Sequence, residues 1–231
     1  MGRIYQNFKE AISENHRNLL EMGVLIRPKS MQDKIIEDDD DYATRELEAV
    51  EFTVLDTSDR DQMILDFKGQ YYLDWCKADV KERLSGQALN PGEAYKLREV
   101  WGEFLHDGKF GYTYAERIAP QLQETIDLLK WDLQTRQAMI TIYEGRLDSS
   151  NRGGKVRVPC SLYYQFLYRD GKLDVIYTMR SNDLLEHMPA DLWHAAEIQQ
   201  HIADAVGVPV GRLFYFCGSL HSYAKDIPKV I

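Results

Sequence analysis

The residue types able to do covalent chemistry gather between Val158 and Tyr223. Val158-Pro159-Cys160 opens an apolar run with a thiol, Gln165 follows five residues later, and the next apolar run ends in Arg180-Ser181-Asn182-Asp183. Asp191 stands eleven residues after Arg180, and Gly218-Ser219-Leu220-His221-Ser222-Tyr223 closes the set. A cysteine attacks as its thiolate, and with an ordinary pKa of about 8.5 it needs a nearby cation to ionise at neutral pH. Arg180 is the candidate for that cation. The run Arg180-Ser181-Asn182 also offers a guanidinium, a hydroxyl and an amide near one place, which suits a phosphate. His221 and Tyr223, two residues apart, share one strand face. Each residue has a plainer reading as well. Cys160 is then a small buried hydrophobe, Arg180 a strand-end charge, His221 with Tyr223 a core pair, and Asp191 a first-turn carboxylate complementing a helix dipole after Pro189. A cysteine hydrolase built from Cys160, His221 and a carboxylate fits poorly, because that class activates its nucleophile at a helix N-terminus or beside a histidine. Here Cys160 reads as part of a strand.

Taken together, these residues and spacings resemble the thymidylate synthase family, most closely its deoxycytidylate hydroxymethylase branch, over residues 158–223. Upstream, Gly111-Tyr112-Thr113-Tyr114 resembles the family's active-site tyrosine segment, and Thr135-Arg136 a phosphate-binding arginine segment. Thr44-Arg45-Glu46-Leu47-Glu48 looks like the helix carrying its catalytic glutamate, and Trp101 like a tryptophan of its folate site. The resemblance leaves open whether Arg27 or Lys29 stands at the family's N-terminal phosphate contact.

The resemblance implies a covalent mechanism on a pyrimidine nucleoside monophosphate. Cys160 adds to carbon 6 and makes carbon 5 enamine-like, and carbon 5 then takes the one-carbon unit of 5,10-methylenetetrahydrofolate. Tyr114 and Glu46, through ordered water, handle the proton transfers. Arg180, Ser181, Asn182, Asp183 and Gln165 contact the nucleotide, His221 and Tyr223 its sugar hydroxyl, and Trp101 and Asp183 the folate. Arg136 reaches the phosphate in the partner subunit of a homodimer packed sheet to sheet. Asp191 stands where thymidylate synthases carry Asn; a carboxyl group accepts from the amino group of cytosine, so the base expected is cytosine and the product 5-hydroxymethyl-dCMP. A ribonucleotide-using hydroxymethylase, a dUMP-methylating synthase and a non-catalytic nucleotide-binding relative remain as alternatives. Three departures bear on them: Ser161 replaces the His that follows the cysteine, His187 stands where the family has a glycine near the folate pocket, and the sequence ends eight residues after Tyr223. The residues given thus omit most of a segment covering bound folate in relatives, which fits weaker folate binding, an altered one-carbon donor, or a sequence that lacks its tail.

A fold must bring these positions together. Apolar residues at three- and four-residue spacing predict helices over 4–22, 43–55, 61–78, 92–106 and 119–131, the last with the stripe Leu122, Ile126, Leu129. After Trp131, β-branched and aromatic runs predict strands at 137–143, 158–168, 173–180 and 212–219, with one helix at 190–206. Turn signals lie at 149–154 and at Asp170-Gly171, the latter a hairpin. Five residues between Cys160 and Gln165 put them on opposite strand faces, so both line one pocket only if a bulge intervenes. The expected class is α+β, a mixed sheet packed with helices in a single domain over 1–231, a length able to bury a substantial core.

Composition excludes several partners. The net charge of −9 disfavours sequence-independent duplex binding, although five of the acids form one run, Glu37 to Asp41, that reads as a solvated loop. No nucleic acid is expected. No apolar run approaches the roughly 18 residues of a membrane span, and the first residues lack the apolar centre of a secretory signal, so no membrane partner and a cytoplasmic location are expected. Cys76, Cys160 and Cys217 lie far apart without zinc-ligand spacing, and neither a disulfide framework nor a metal site is suggested.

Overall fold

The structure is a computed structural model that describes residues 2–31, 34–149 and 157–227. In chain order its elements are β1 (Arg3–Tyr5), α1 (Phe8–Met22), β2 (Val24–Ile26), β3 (Ser30–Met31), β4 (Lys34–Ile35), β5 (Thr44–Val54), α2 (Arg60–Phe67), α3 (Gln70–Arg83), α4 (Tyr114–Trp131), β6 (Met139–Thr141), α5 (Gly145–Asp148), β7 (Ser161–Arg169), β8 (Lys172–Asp183), α6 (Met188–Val206) and β9 (Val210–Tyr223). Short 3-10 turns occupy Asp40–Tyr42, Ala94–Leu97 and Glu99–Phe104.

The main sheet runs β1-β5-β9-β8-β7-β6, with β2 also paired to β5. Parallel pairing of β1 with β5 and of β8 with β9 makes it mixed, the remaining pairs being antiparallel. Its register lines up Tyr164, Tyr177, Tyr215 and Phe52 across four strands. Directly opposed residues share a face, and these rings form a ladder with centroids 4.6, 5.9 and 4.8 Å apart. The ladder is buried under α3, α4 and α6, whose Cys76, Leu122, Ile126, Ile198 and Ile202 complete one apolar core. The α+β class and the helix-covered mixed sheet are as the sequence predicts. The opposite face of the sheet carries the rows Gln165, Ile176, Phe214, Thr53 and Tyr163, Thr178, Phe216, Glu51. Phe216 there is 39% exposed.

Several expected boundaries move. Residues 43–55 form strand β5 and not a helix. Its three glutamates favour helix locally, but β1 and β2 on one side and β9 on the other claim its backbone, burying Phe52 and Val54. The helix expected at 4–22 begins only at Phe8, because the Asn7 side chain caps Glu10 N–H and the residues before it pair as β1. The helix expected at 61–78 is two helices, broken at Gly69, whose φ of +85° suits glycine alone, and the second extends to Arg83. Residues 92–106 hold only the two 3-10 turns. Helix α4 starts earlier than 119, at a capping box between Thr113 and Glu116, and tolerates Pro120 in its first turns. The Asp170-Gly171 hairpin is present, both residues having positive φ. The turn signal at 149–154 falls, from residue 150 on, outside the described residues. Among the described residues, no helix is long and apolar enough to cross a membrane.

Candidate active site

Cys160 sits immediately before β7, and its carbonyl accepts a hydrogen bond from Arg180 N–H at 2.9 Å. The Arg180 guanidinium then folds back over the segment carrying the thiol. Its Nε donates to the Pro159 carbonyl at 2.9 Å, and its Nη2 to the Val158 carbonyl at 3.2 Å while lying 3.6 Å from Cys160 Sγ. Strand β9 must pass close by: a Cβ at Gly218 would lie 2.9 Å from the Arg180 carbonyl oxygen, so only glycine fits there. Both Cys160 and Arg180 open on a cavity of about 1090 Å³.

The hydroxyl beside the thiol is part of a hydrogen-bonded network. Ser161 Oγ lies 3.0 Å from the Tyr114 hydroxyl and 2.6 Å from that of Tyr177. Burial pushes the phenol of Tyr114 well above its ordinary pKa, so Tyr114 keeps its proton at neutral pH and can donate it. The capping box at Thr113 fixes the helix start that presents this side chain to the cavity.

Asp191, in the first turn of α6, also faces the cavity. Burial pushes its carboxyl up to about 7 against the opposing pull of the Arg83 guanidinium and a hydrogen bond from Asn182. Asn182 is itself buried, donating to Met179 Sδ and the Tyr215 hydroxyl at 3.0 Å each. Asp183 accepts from the N–H groups of Leu185 and Glu186 at 3.1 Å, and burial lifts its carboxyl to about 7. On β9, His221 Nδ1 lies 3.4 Å from Ser181 Oγ, and its ring stands edge-on to Tyr223 at 5.4 Å. Burial lowers its imidazole pKa, leaving a neutral ring.

The aromatic wall is built around Trp101 in the second of the two 3-10 turns before α4. Trp75 lies 6.5 Å from it and His187 5.9 Å, while the Arg157 guanidinium is 5.0 Å from its ring centre. Burial, with the Arg98 cation second, drops the His187 imidazole to about 3. His187 is therefore a neutral part of this wall.

The element holding one expected residue is corrected, and four other residues lie off the cavity wall. Glu46 lies on β5 and not on a helix; it stands opposite His221 and accepts from Ser219 Oγ at 2.6 Å. A bulge does interrupt β7, between Ser161 and Tyr163, yet Gln165 stays off the cavity wall. Its neighbours Tyr164 and Phe166 are wholly buried, so Gln165 points to the opposite face, where it donates to the Arg136 carbonyl at 2.9 Å. Arg136 is exposed and likewise off the cavity. Neither Arg27, paired with Asp40, nor Lys29, 3.1 Å from Glu37, lines the cavity.

Other residues of the wall were not singled out from the sequence. Arg83 is buried, donates from Nε to Asp79 at 2.6 Å, and lies 4.1 Å from the Tyr114 ring centre. Asp79 also meets His194 Nε2 at 3.0 Å; burial would raise its carboxyl, but Arg83 and His194 outweigh that and hold it at about 2. The signal was the four-residue spacing of Asp79 and Arg83, which the expected helix end at 78 placed outside any element. Arg157, three residues before Cys160, was readable only as one more charge.

The family model described as thymidylate synthase matches residues 55–231. A deoxyuridylate hydroxymethyltransferase of Bacillus phage SP01 is 34% identical over 142 residues, 54% of this chain and 37% of that protein. A putative thymidylate synthase of Methanococcoides burtonii is 28% identical over 145 residues, 60% of this chain and 64% of that protein. One from Methanocaldococcus jannaschii is 29% identical over 130 residues, 56% and 59%. The matches span less than two thirds of the length of these relatives.

Proposed function

The chain belongs to the thymidylate synthase family, and from that premise we propose that it hydroxymethylates carbon 5 of a cytosine nucleoside monophosphate, deoxycytidylate being the substrate its resemblance implies. The observation that carries this reading is the 3.6 Å approach of Arg180 Nη2 to Cys160 Sγ at one cavity. The guanidinium favours the thiolate and, where it turns to the cavity, offers donors to the phosphate. The thiolate adds to carbon 6 of the pyrimidine. Carbon 5 gains enamine character, and its proton is removed once the new carbon–carbon bond has formed. Tyr114 moves protons at the ring, a role its hydrogen bond to Ser161 at the cavity supports. The carboxylate in the same contact network is Asp79, through Arg83; Glu46 stands instead beside His221. Asp191 in its ionised form accepts from the cytosine amino group. Water takes the place of the donor nitrogen on the new exocyclic carbon and supplies the hydroxyl, and expulsion of Cys160 then restores the ring double bond and releases the product.

The cavity fits 5,10-methylenetetrahydrofolate. Trp101 offers an aromatic surface, and its Nε1–H is buried without an acceptor among the described residues. Asp183 accepts from an amino-bearing ring, and the cations of Lys34 and Arg157 suit an acidic tail. At about 1090 Å³ the cavity slightly exceeds the roughly 300–1,000 Å³ typical of one small ligand. When bound, that cofactor supplies the one-carbon unit which carbon 5 attacks.

The phage relative is named a hydroxymethyltransferase, which supports hydroxymethyl over methyl as the outcome. Its named substrate, a deoxyuridylate, supports a second reading in which a protonated Asp191 donates to uracil oxygen 4. We place the phosphate contact of Arg136 in the partner's site of a homodimer, the uncovered sheet face carrying Ile176, Phe214 and Phe216 being the dimer surface. Turnover with deoxycytidylate, cytidylate and deoxyuridylate, each with methylenetetrahydrofolate and read by mass spectrometry, tests the proposal. A cytosine product heavier by one CH2O unit is expected; a methylated uracil product alone, or no product from any of the three, contradicts it.

A further inference from the structure

Glu46 occupies a position that proton transfer at the base does not explain. In register, Asp183, His221 and Glu46 lie side by side on β8, β9 and β5, and all three line the cavity. Opposed residues share a face, so His221 is flanked by a carboxylate on each neighbouring strand. Asp183 already has Oδ1 engaged by two backbone N–H groups. Glu46 Oε2 accepts from Ser219 Oγ at 2.6 Å, and no salt bridge to Glu46 forms among the described residues. An ionised carboxylate can only accept. Half-buried beside His221 and Tyr223, it calls for a neutral donor; a phosphate would be repelled.

We infer that Glu46 reads the 2′ position of the nucleotide sugar and makes the ribonucleotide the preferred substrate. This deepens the cytosine-nucleotide reading of the same site and rests on it. A single 3′-hydroxyl is satisfied by His221 and Tyr223. A ribose brings a second donor on the same ring edge, and Glu46 is the acceptor left over for it. A hydrogen bond to a charged group adds on the order of tenfold or more to affinity, and its absence leaves a desolvated carboxylate unmatched.

The test is calorimetric binding of cytidylate, deoxycytidylate and 2′-O-methylcytidylate to the wild-type protein and to Glu46→Gln. The wild type is expected to bind cytidylate about tenfold more tightly than the other two. Glu46→Gln should bring cytidylate toward the deoxynucleotide while leaving deoxycytidylate within about twofold, a change of ratio that general damage to the fold does not produce. The wild-type comparison stands even if the variant fails to fold. Equal affinity for cytidylate and deoxycytidylate, tighter deoxycytidylate, or a ratio untouched by the substitution overturns the inference and leaves the proposed function intact. Absence of binding by all three nucleotides removes both.

Discussion

In the proposed function, Asp191 selects the base through its protonation state. Its carboxyl sits at about 7 because burial opposes the charge, so the ionised, accepting form dominates above neutrality and the protonated, donating form below it. The expected outcome is that kcat/KM for cytidylate rises with pH and levels off above about 7, losing about tenfold per pH unit on the acid side. Activity toward deoxyuridylate should fall over the same range. Asp191→Asn should flatten both profiles and move preference toward uracil by about fivefold to a hundredfold, a mismatch at a buried polar contact being worth about 1–3 kcal/mol. Parallel pH–rate profiles on the two nucleotides check this, and identical preference in both proteins removes Asp191 from base reading.

In the proposed mechanism, proton transfer depends on the start of α4. Thr113 accepts from Glu116 N–H, and the Glu116 carboxylate returns a bond to Thr113 N–H, fixing the helix turn from which Tyr114 reaches Ser161. Thr113→Ala should cost about 1 kcal/mol in urea unfolding and reduce turnover more than nucleotide affinity; an unchanged unfolding midpoint contradicts the assigned cap. The same element shows what the sequence disclosed and what it hid. The strands of the C-terminal half were legible because aromatic and β-branched residues crowd them, and so the region holding Cys160, Arg180, Asp191, His221 and Tyr223 was legible too. Strand β5 was not, since three glutamates imitate a helix and only pairing with β1, β2 and β9 decides otherwise. Hence Glu46 was assigned to the wrong kind of element. Asp79, Arg83 and His194 were missed because their meaning lies in a contact between α3 and α6 that no local pattern announces.

At the scale of the whole molecule, the sheet divides two jobs. One face, under the helices, holds the aromatic ladder and the cavity; the other presents Phe214, Phe216 and Ile176 alongside Gln165, which tethers the backbone of Arg136. If the second face joins two protomers and Arg136 acts across it, then Cys160→Ala and Arg136→Ala, each inactive alone, should regain part of the activity when mixed and allowed to exchange subunits. No recovery, with dimers shown by sedimentation, places Arg136 outside the partner's site. All of these outcomes presuppose a covalent encounter between sulfur and pyrimidine. Release of tritium from carbon 5 of labelled cytidylate and deoxycytidylate, with methylenetetrahydrofolate present, measures it most directly. The wild-type protein is predicted to release tritium, and Cys160→Ala to release none while still binding nucleotide; release that persists without the Cys160 thiol would contradict the account.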